Sequence, residues 1–489
     1  MRTNQSDYAT TQFRVLSDDQ IERIVLGALE VLERTGTQVF EDEARNILKD
    51  AGATVVDDHV RIPPGLVKSS LSTVPPRIAV GNRQGERTML LEGHRIYYGT
   101  GSDCPFIIDA ESGGRREFLK RDVEDAARIV DACPNLDFHM SLGLTSDVPT
   151  YSYDRHQAAA MLRNTVKPLV LTAMSRDALS DILEMYILIR GSEEAFEINP
   201  GFVVYLEPTT PLLHSKAVME KLLFAVDRKI PAIYTPCAIA GGTSPVTLAG
   251  TMVTAVSEFM VGMVVSQLRR PGAAVLMGGV VSPMDMRTTT FTYGSPELHL
   301  MSAAMTDVAH HLEIPVFSTA GCSDSKTLDE QAAAEAAMGI LAAGLSGANL
   351  IHDVGFLESA LIGSHEMVVL SDEVVGMAKR FLSGVRVDEE ALALDLIHEV
   401  GPGGNFLACE HTAHNMRREL WFPKLMDRTK YAAWEAEGSK TLGDRVRDRV
   451  REILATHRAP SQSDKIEAGI DEILAEGDRR AAAEQTNLL

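Results

Sequence analysis

Disulfide chemistry has little to work with in this chain. Its five cysteines, Cys104, Cys133, Cys237, Cys322 and Cys409, are scattered through 489 residues without a CxxC pair. An odd, dispersed set excludes a disulfide framework and suits a reducing cytoplasm, where the protein is expected to reside. Basic charge is also scarce. The 47 lysines and arginines face 68 acidic side chains, for a formal net charge of -21, which argues against nucleic acid or an anionic membrane as the main partner. Met1–Arg14 is polar and lacks an apolar signal core, and no run is read as approaching the roughly 20 apolar residues of a membrane span. Phosphate loops are missing as well: Gly241-Gly242 and Gly278-Gly279 follow apolar runs, but neither completes GxGxxG or supplies a P-loop lysine.

What the chain does contain is a repeated unit, a short apolar run followed by a helical stretch. The runs are Arg95–Tyr98 with an extension Phe106–Asp109, Leu136–Leu144, Pro168–Met174, Phe202–Glu207, Ala232–Pro236, Ala273–Val280, Pro315–Thr319 and Asn349–Val354. Most lack apolar/polar alternation, as parallel strands covered on both faces do. Helical spacing fills the intervals, for example at Asp177–Leu188, Ser215–Asp227, Leu248–Leu268 and Asp329–Leu345. An open doubly wound sheet would alternate similarly, but eight units over about 250 residues match a closed (β/α)8 TIM barrel. The expected class is therefore α/β. Residues 1–94 form N-terminal helices and small antiparallel β elements, 95–385 the barrel, and 386–489 C-terminal helices and a charged tail. The tail from Ser439 reads as a solvated or partner-wrapping helix.

Barrel chemistry sits at the carboxyl ends of strands. Val203-Val-Tyr-Leu-Glu-Pro-Thr-Thr-Pro211 runs a buried strand straight into Glu207 and stops it with proline. A carboxylate there faces the mouth, or equally serves as a cap or ion pair holding the loop. Other strand ends add Tyr97, Tyr98, Asp103, His139, Tyr234, Thr319, Asp324, His352, Asp353 and Phe356. In a chain with only 6% aromatics, aromatic rings gathered with carboxylates suit a cation. Quaternary ammonium groups bind ring faces at about 0.5–2 kcal/mol each. Taken singly, each tyrosine is better read as packing with a wet hydroxyl. Tyr97, Tyr205 and Phe356 are the cage candidates, Glu207 and Asp103 the charge partners in the catalytic position, and His352 a donor to a substrate carboxylate.

The stretches Tyr205-Leu-Glu-Pro-Thr-Thr-Pro-Leu212, Pro236-Cys-Ala-Ile-Ala-Gly-Gly-Thr-Ser-Pro-Val246, Ser318-Thr-Ala-Gly-Cys-Ser-Asp-Ser-Lys326, Asp329-Glu-Gln331, Ile351-His-Asp-Val-Gly355 and Gly401-Pro-Gly-Gly-Asn-Phe-Leu407 resemble the trimethylamine methyltransferase family. The likeness spans the N-terminal helices to about Arg428. It implies a (β/α)8 enzyme moving a methyl group from an amine to the cobalt of a corrinoid carried by a separate protein. Archaeal trimethylamine enzymes of the family carry pyrrolysine, whereas this chain has standard residues only. It is thus similar to the non-pyrrolysine branch, whose members demethylate quaternary amines such as glycine betaine. The family motifs support Tyr205, Glu207 and His352 by name.

Cobalamin-carrying modules ligate cobalt through Asp-x-His-x-x-Gly. Asp137-Phe-His-Met-Ser-Leu-Gly143 places its glycine one residue late, so the corrinoid is expected on a partner protein, with none tightly bound here. Cys409, His411 and His414 have a spacing open to zinc, but a single helical turn gives it by accident and no fourth ligand is evident. A non-catalytic quaternary-amine sensor and a zinc-dependent barrel enzyme are the rival classes. A homo-oligomer is expected.

Overall fold

Runs of valine, isoleucine and leucine become strands because their side chains fit a pleated surface covered on both faces. In the computed structural model, which describes residues 11–109 and 112–488 with side chains to 483, Phe202–Leu206 pairs in parallel with Leu169–Leu171 and with Ala232–Tyr234. Ala232–Tyr234 pairs in turn with Val275–Met277. A second arc joins Phe317–Thr319, Leu350–Val354 and Tyr97–Thr100, again in parallel. Parallel bridges Gly99 to Phe138, His139 to Leu169 and Met277 to Val316 link the two arcs. Eight parallel segments thus form a circuit that returns on itself, and a helix follows each one in this mixed α/β fold.

The helices begin where the sequence offers caps. Ser175, Ser215, Ser295, Asp329 and Ser364 each accept a backbone N–H from the first turn of the helix they precede, a contact worth about 1 kcal/mol apiece. Ser17 forms a full capping box with Gln20 at the head of Asp18–Glu30.

Four features depart from the reading of the sequence. Phe106–Ile108 does not extend the first strand. It pairs with Arg115–Glu117 and Ile362–Gly363 in a separate ribbon, because Asp103 takes a positive φ and Pro105 follows. The Leu136–Leu144 run contributes only bridges, at Phe138, His139 and Gly143. A helix at Tyr153–Asn164 was not expected. The charged tail does not stand free: Leu442–Thr456 packs on His365–Leu382 and Lys120–Ala132, and Asp464–Leu488 packs on Arg176–Arg190 and Tyr153–Asn164. The tail is amphipathic, with Val446, Val450, Ile453, Ile470 and Leu474 buried and its charges turned outward or tied down. Arg163, for example, holds Glu467 at 2.6 Å and Asp471 at 2.7 Å.

Leu248–Arg269 is the one helix among the described residues long and apolar enough to cross a membrane, with a mean hydropathy of 1.7 in its best window. The sequence reading missed it because polar Ser257, Glu258 and Gln267 interrupt the run. It is a core helix, 72% buried over that window. The N-terminal helices Asp18–Glu30 and Pro64–Leu71 cover it. At the other end, the hairpin of Ile78–Gly81 and Arg87–Leu91 closes the floor of the ring.

Candidate active site

Side chains two apart on a strand share a face, so the interior of the ring is built in layers. The lowest layer is apolar: Tyr97, Phe138, Val170, Val203, Ile233, Leu276, Phe317 and Leu350 cluster with Ile78, Val80, Met89 and Leu91 of the floor hairpin. One step up each strand the lining changes character. Tyr205, Thr235, Thr319 and His352 take the next places, the Thr319 hydroxyl beside the Asp353 carboxyl and the Thr235 hydroxyl without a hydrogen-bond partner among the described residues. Above them stand carboxylates.

Tyr205 donates its hydroxyl to Glu207 Oε2 at 2.7 Å. Its ring lies edge-on to Phe317, with centroids 5.8 Å apart, and 6.3 Å from the His352 ring. Asp103 and Asp353 both sit at positive φ, 77° and 78°, a conformation costly for residues other than glycine and concentrated at functional sites. Gly101 is required between them. A Cβ there would lie 2.3 Å from Asp353 Oδ1 and from the Phe356 ring. Tyr293, on the loop after Thr290–Phe291, completes the aromatic wall, its ring edge-to-face with Phe356 at 6.1 Å.

Three carboxyl groups therefore share one opening, and burial raises the pKa of each. Asp103 and Glu207 are exposed by surface area, but only toward the opening, and protein elsewhere strips their water. For Glu207, Asp103 adds to the effect of burial, while Tyr205 and Lys221 oppose it. Asp103 is raised by burial against the counter-pull of Ser102 and Lys221. Asp353 stands well above the usual carboxylate range. Burial is again the first cause, and Asp103 and Glu207 add to it. The cation beside them, Lys221, is buried and donates to the Ala173 carbonyl at 2.5 Å. The opening combines aromatic rings with more carboxyl groups than cations, a chemistry that suits a small organic cation.

Several expected site residues sit elsewhere. Tyr97 is no cage residue. It belongs to the bottom layer, and its hydroxyl accepts the Leu90 N–H of the floor hairpin at 3.0 Å. His352 is not available to donate to a substrate carboxylate. Its Nδ1 lies 2.9 Å from the Ser318 carbonyl and its Nε2 3.1 Å from Asp353 Oδ1, while its ring packs on Phe317 at 4.0 Å. A carbonyl only accepts, so Nδ1 carries the proton. Burial pushes the imidazole down to about 3. Nε2 thus faces the Asp353 carboxyl, which burial also raises. Phe356 is at the right level but 2% exposed, so it backs Tyr293 rather than facing the opening.

Tyr98 and Tyr234 point outward, their hydroxyls on the Ile340 carbonyl and on His214. His139 also faces the helical layer, its Nδ1 2.9 Å from the Thr100 hydroxyl, and it is fully buried, away from the opening. Asp324 works from behind: its two carboxylate oxygens accept the Tyr293 and Gly294 N–H groups at 2.7 and 3.0 Å. Sequence reasoning missed Tyr293 because it lies on a loop, away from any strand end. No group of three or more metal-capable side chains occurs among the described residues, Cys409, His411 and His414 included. A cavity of about 450 Å³ lies in the outer helical layer, among Cys133, Lys424, Arg445 and Glu452. Its mixed charges and position separate it from the strand ends.

Aromatic rings and carboxyl groups gathered at the carboxyl ends of parallel strands stand where α/β enzymes of this architecture place their chemistry. The chain belongs to the trimethylamine methyltransferase (MTTB) family, whose model matches residues 3–483. It is 28% identical to the glycine betaine methyltransferase of Desulfitobacterium hafniense (strain Y51), over 97% of this chain and 99% of that protein. It is 30% identical to the trimethylamine methyltransferase MttB of D. hafniense (strain DSM 10664 / DCB-2), covering 94% and 93%. With trimethylamine methyltransferase MttB of Methanosarcina barkeri (strain Fusaro / DSM 804) the identity is 32%, covering 91% and 92%. The solved M. barkeri monomethylamine methyltransferase (MtmB) superposes with a TM-score of 0.52 at 12% identity, over 91% of this chain and 88% of that one. This last likeness concerns fold alone.

Proposed function

We propose that this methyltransferase moves a methyl group from a quaternary amine, glycine betaine or a related betaine, to a corrinoid carried by a partner protein. In this reading the closed circuit is a (β/α)8 barrel spanning 95–385, flanked by the 1–94 and 386–489 extensions, and the enzyme works in the cytoplasm. The observation that carries it is the Tyr205–Glu207 pair with Asp103 and Tyr293 around one opening. Similarity to the D. hafniense glycine betaine enzyme points the same way.

The corrinoid is a substrate here: reduced to cobalt(I), it supplies the nucleophile that accepts the methyl group. The chain's own task is to desolvate and aim the cation. Tyr205 and Tyr293 offer ring faces to the ammonium methyls, and Glu207 and Asp103 balance its charge. Displacing a neutral tertiary amine requires no proton at the leaving nitrogen. Catalysis then rests on orientation and exclusion of water, with no acid–base step.

The test is absorbance of free or protein-bound cobalamin at the cobalt(I) level, mixed with this protein and a panel of quaternary amines. Enzyme-dependent loss of the cobalt(I) band with growth of methyl-cobalt(III) for a betaine is the expected result. Binding without transfer for every amine would favour a sensor, and bound zinc with another activity would favour the metal enzyme.

A further inference from the structure

The segment from Met377 to Tyr431 is exceptional for its exposed apolar side chains. Of the 24 large hydrophobic residues that stand exposed among the described residues, thirteen fall in these 55 positions. Val385 is 83% exposed and Leu407 82%, and Leu394, Leu420, Phe422 and Tyr431 all exceed half. The short helices Glu389–Leu392, Leu394–Val400 and Tyr431–Ala436 bury no residue at all. The arm leaves the end of His365–Leu382 and returns to it. Arg380 binds the Glu419 carbonyl, and Glu373 Oε1 accepts the Lys424, Leu425 and Met426 N–H groups. It has no core of its own.

We infer that this arm is the contact surface for a second copy of the chain. Two observations, and the turnover that the proposed reaction requires, select that occupant. Thirteen large side chains roughly half exposed amount to on the order of 1,000 Å², beyond the few hundred Å² a monomer tolerates and comparable to the ~800 Å² per partner of a stable dimer. A carrier protein that must leave after each methyl transfer would uncover this surface in every cycle, whereas a second copy covers it permanently. Charge points the same way. Positions 377–431 hold eight basic and eight acidic residues, so the whole excess of -21 lies elsewhere and this face lets two copies meet without net repulsion.

The location keeps the enzyme open. His365–Leu382 follows the carboxyl end of Leu350–Val354 and runs back toward the floor, where Lys379 meets Asp137 and the Asn135 carbonyl at the start of the second segment. The arm thus departs from the end of the ring opposite Glu207, and both openings stay clear of the contact. The exclusion of a carrier rests on the proposed function; the area and the charge balance do not.

Sedimentation velocity on the full-length protein, with the double variant Val385→Asp/Leu407→Asp and the control Val246→Asp, tests the assignment. Wild type and control are expected to sediment as dimers or higher even-numbered assemblies. The double variant should run as a folded monomer, its dissociation constant raised at least about 100-fold. A monomeric wild type at micromolar concentration, or a double variant as associated as wild type, overturns it. Should the variant fail to fold, hydrogen exchange on wild type decides: slow exchange across 385–431 supports the contact, and exchange as fast as an uncovered arm would show refutes it.

Discussion

Tyr205 and Tyr97 show how two tyrosines of similar sequence context diverge. Tyr205→Leu is expected to weaken quaternary-ammonium binding about 2- to 30-fold, the worth of one ring face, with the circular dichroism spectrum unchanged. Tyr97→Leu should leave affinity intact and cost stability, about 1–3 kcal/mol, because the Leu90 N–H loses its acceptor; a titration and a urea melt on each variant distinguish the two. Their difference could not be read from the sequence. Period-two alternation puts both side chains inside the ring, but not at which height, and height separates a floor residue from a rim residue. Glu207 was legible because proline ends its strand, whereas Tyr293 was not. The same blindness applies to partners: His352 is prominent in the sequence, yet Ser318 and Asp353 occupy both its nitrogens.

At the scale of elements, the loops that carry the site are held by carboxylates one layer behind it. Asp324 fixes Tyr293 and Gly294 and also accepts the Ser359 hydroxyl at 2.7 Å. Asp324→Ala should therefore lower cation affinity by about tenfold without touching the cation, and Asp324→Asn, which keeps one acceptor oxygen, should lose less. Glu258 of Leu248–Arg269 holds the loop after Glu207, accepting Leu212 N–H at 2.7 Å and the Thr210 hydroxyl at 2.8 Å. Burial raises its carboxyl to about 7. A carboxyl raised in the folded state stabilises at low pH, and that contribution is lost as pH rises through 7. Glu258→Gln should abolish this decline, seen as a flatter dependence of melting temperature on pH between about 5 and 8. The buried imidazoles act in the opposite sense. His139, His214 and His352 are pushed down to about 3 by burial, so their contribution is present above the ordinary imidazole range and lost on acidification. The strand and helix units were legible throughout because their caps and apolar runs are local signals. The second segment was overdrawn and Tyr153–Asn164 missed, since pairing length and the weak periodicity of that helix are set by tertiary packing.

For the molecule as a whole, the C-terminal helices complete the outer layer. Truncation after Gly438 uncovers the apolar side of Tyr153–Asn164 and Arg176–Arg190 and should lower the melting temperature sharply or yield insoluble protein, at about 1.5–3 kcal/mol for each buried side chain lost. Their charge density made them look solvated; only the spacing of Val446, Val450 and Ile453 signalled a buried face. At the ring's mouth, by contrast, burial raises the carboxyl groups, against the pull of Lys221 on Asp103 and Glu207. A bound quaternary ammonium favours their ionised forms, so binding must release protons and strengthen as pH rises. Isothermal titration of glycine betaine in buffers of different ionisation enthalpy, from about pH 8 to about pH 5.5, measures this directly. Proton release on binding, affinity that weakens as the pH is lowered, and loss of both in Glu207→Gln are the expected results. Binding with no proton release and no change in affinity across that range, in wild type and variant alike, would contradict an anionic cation site at this opening.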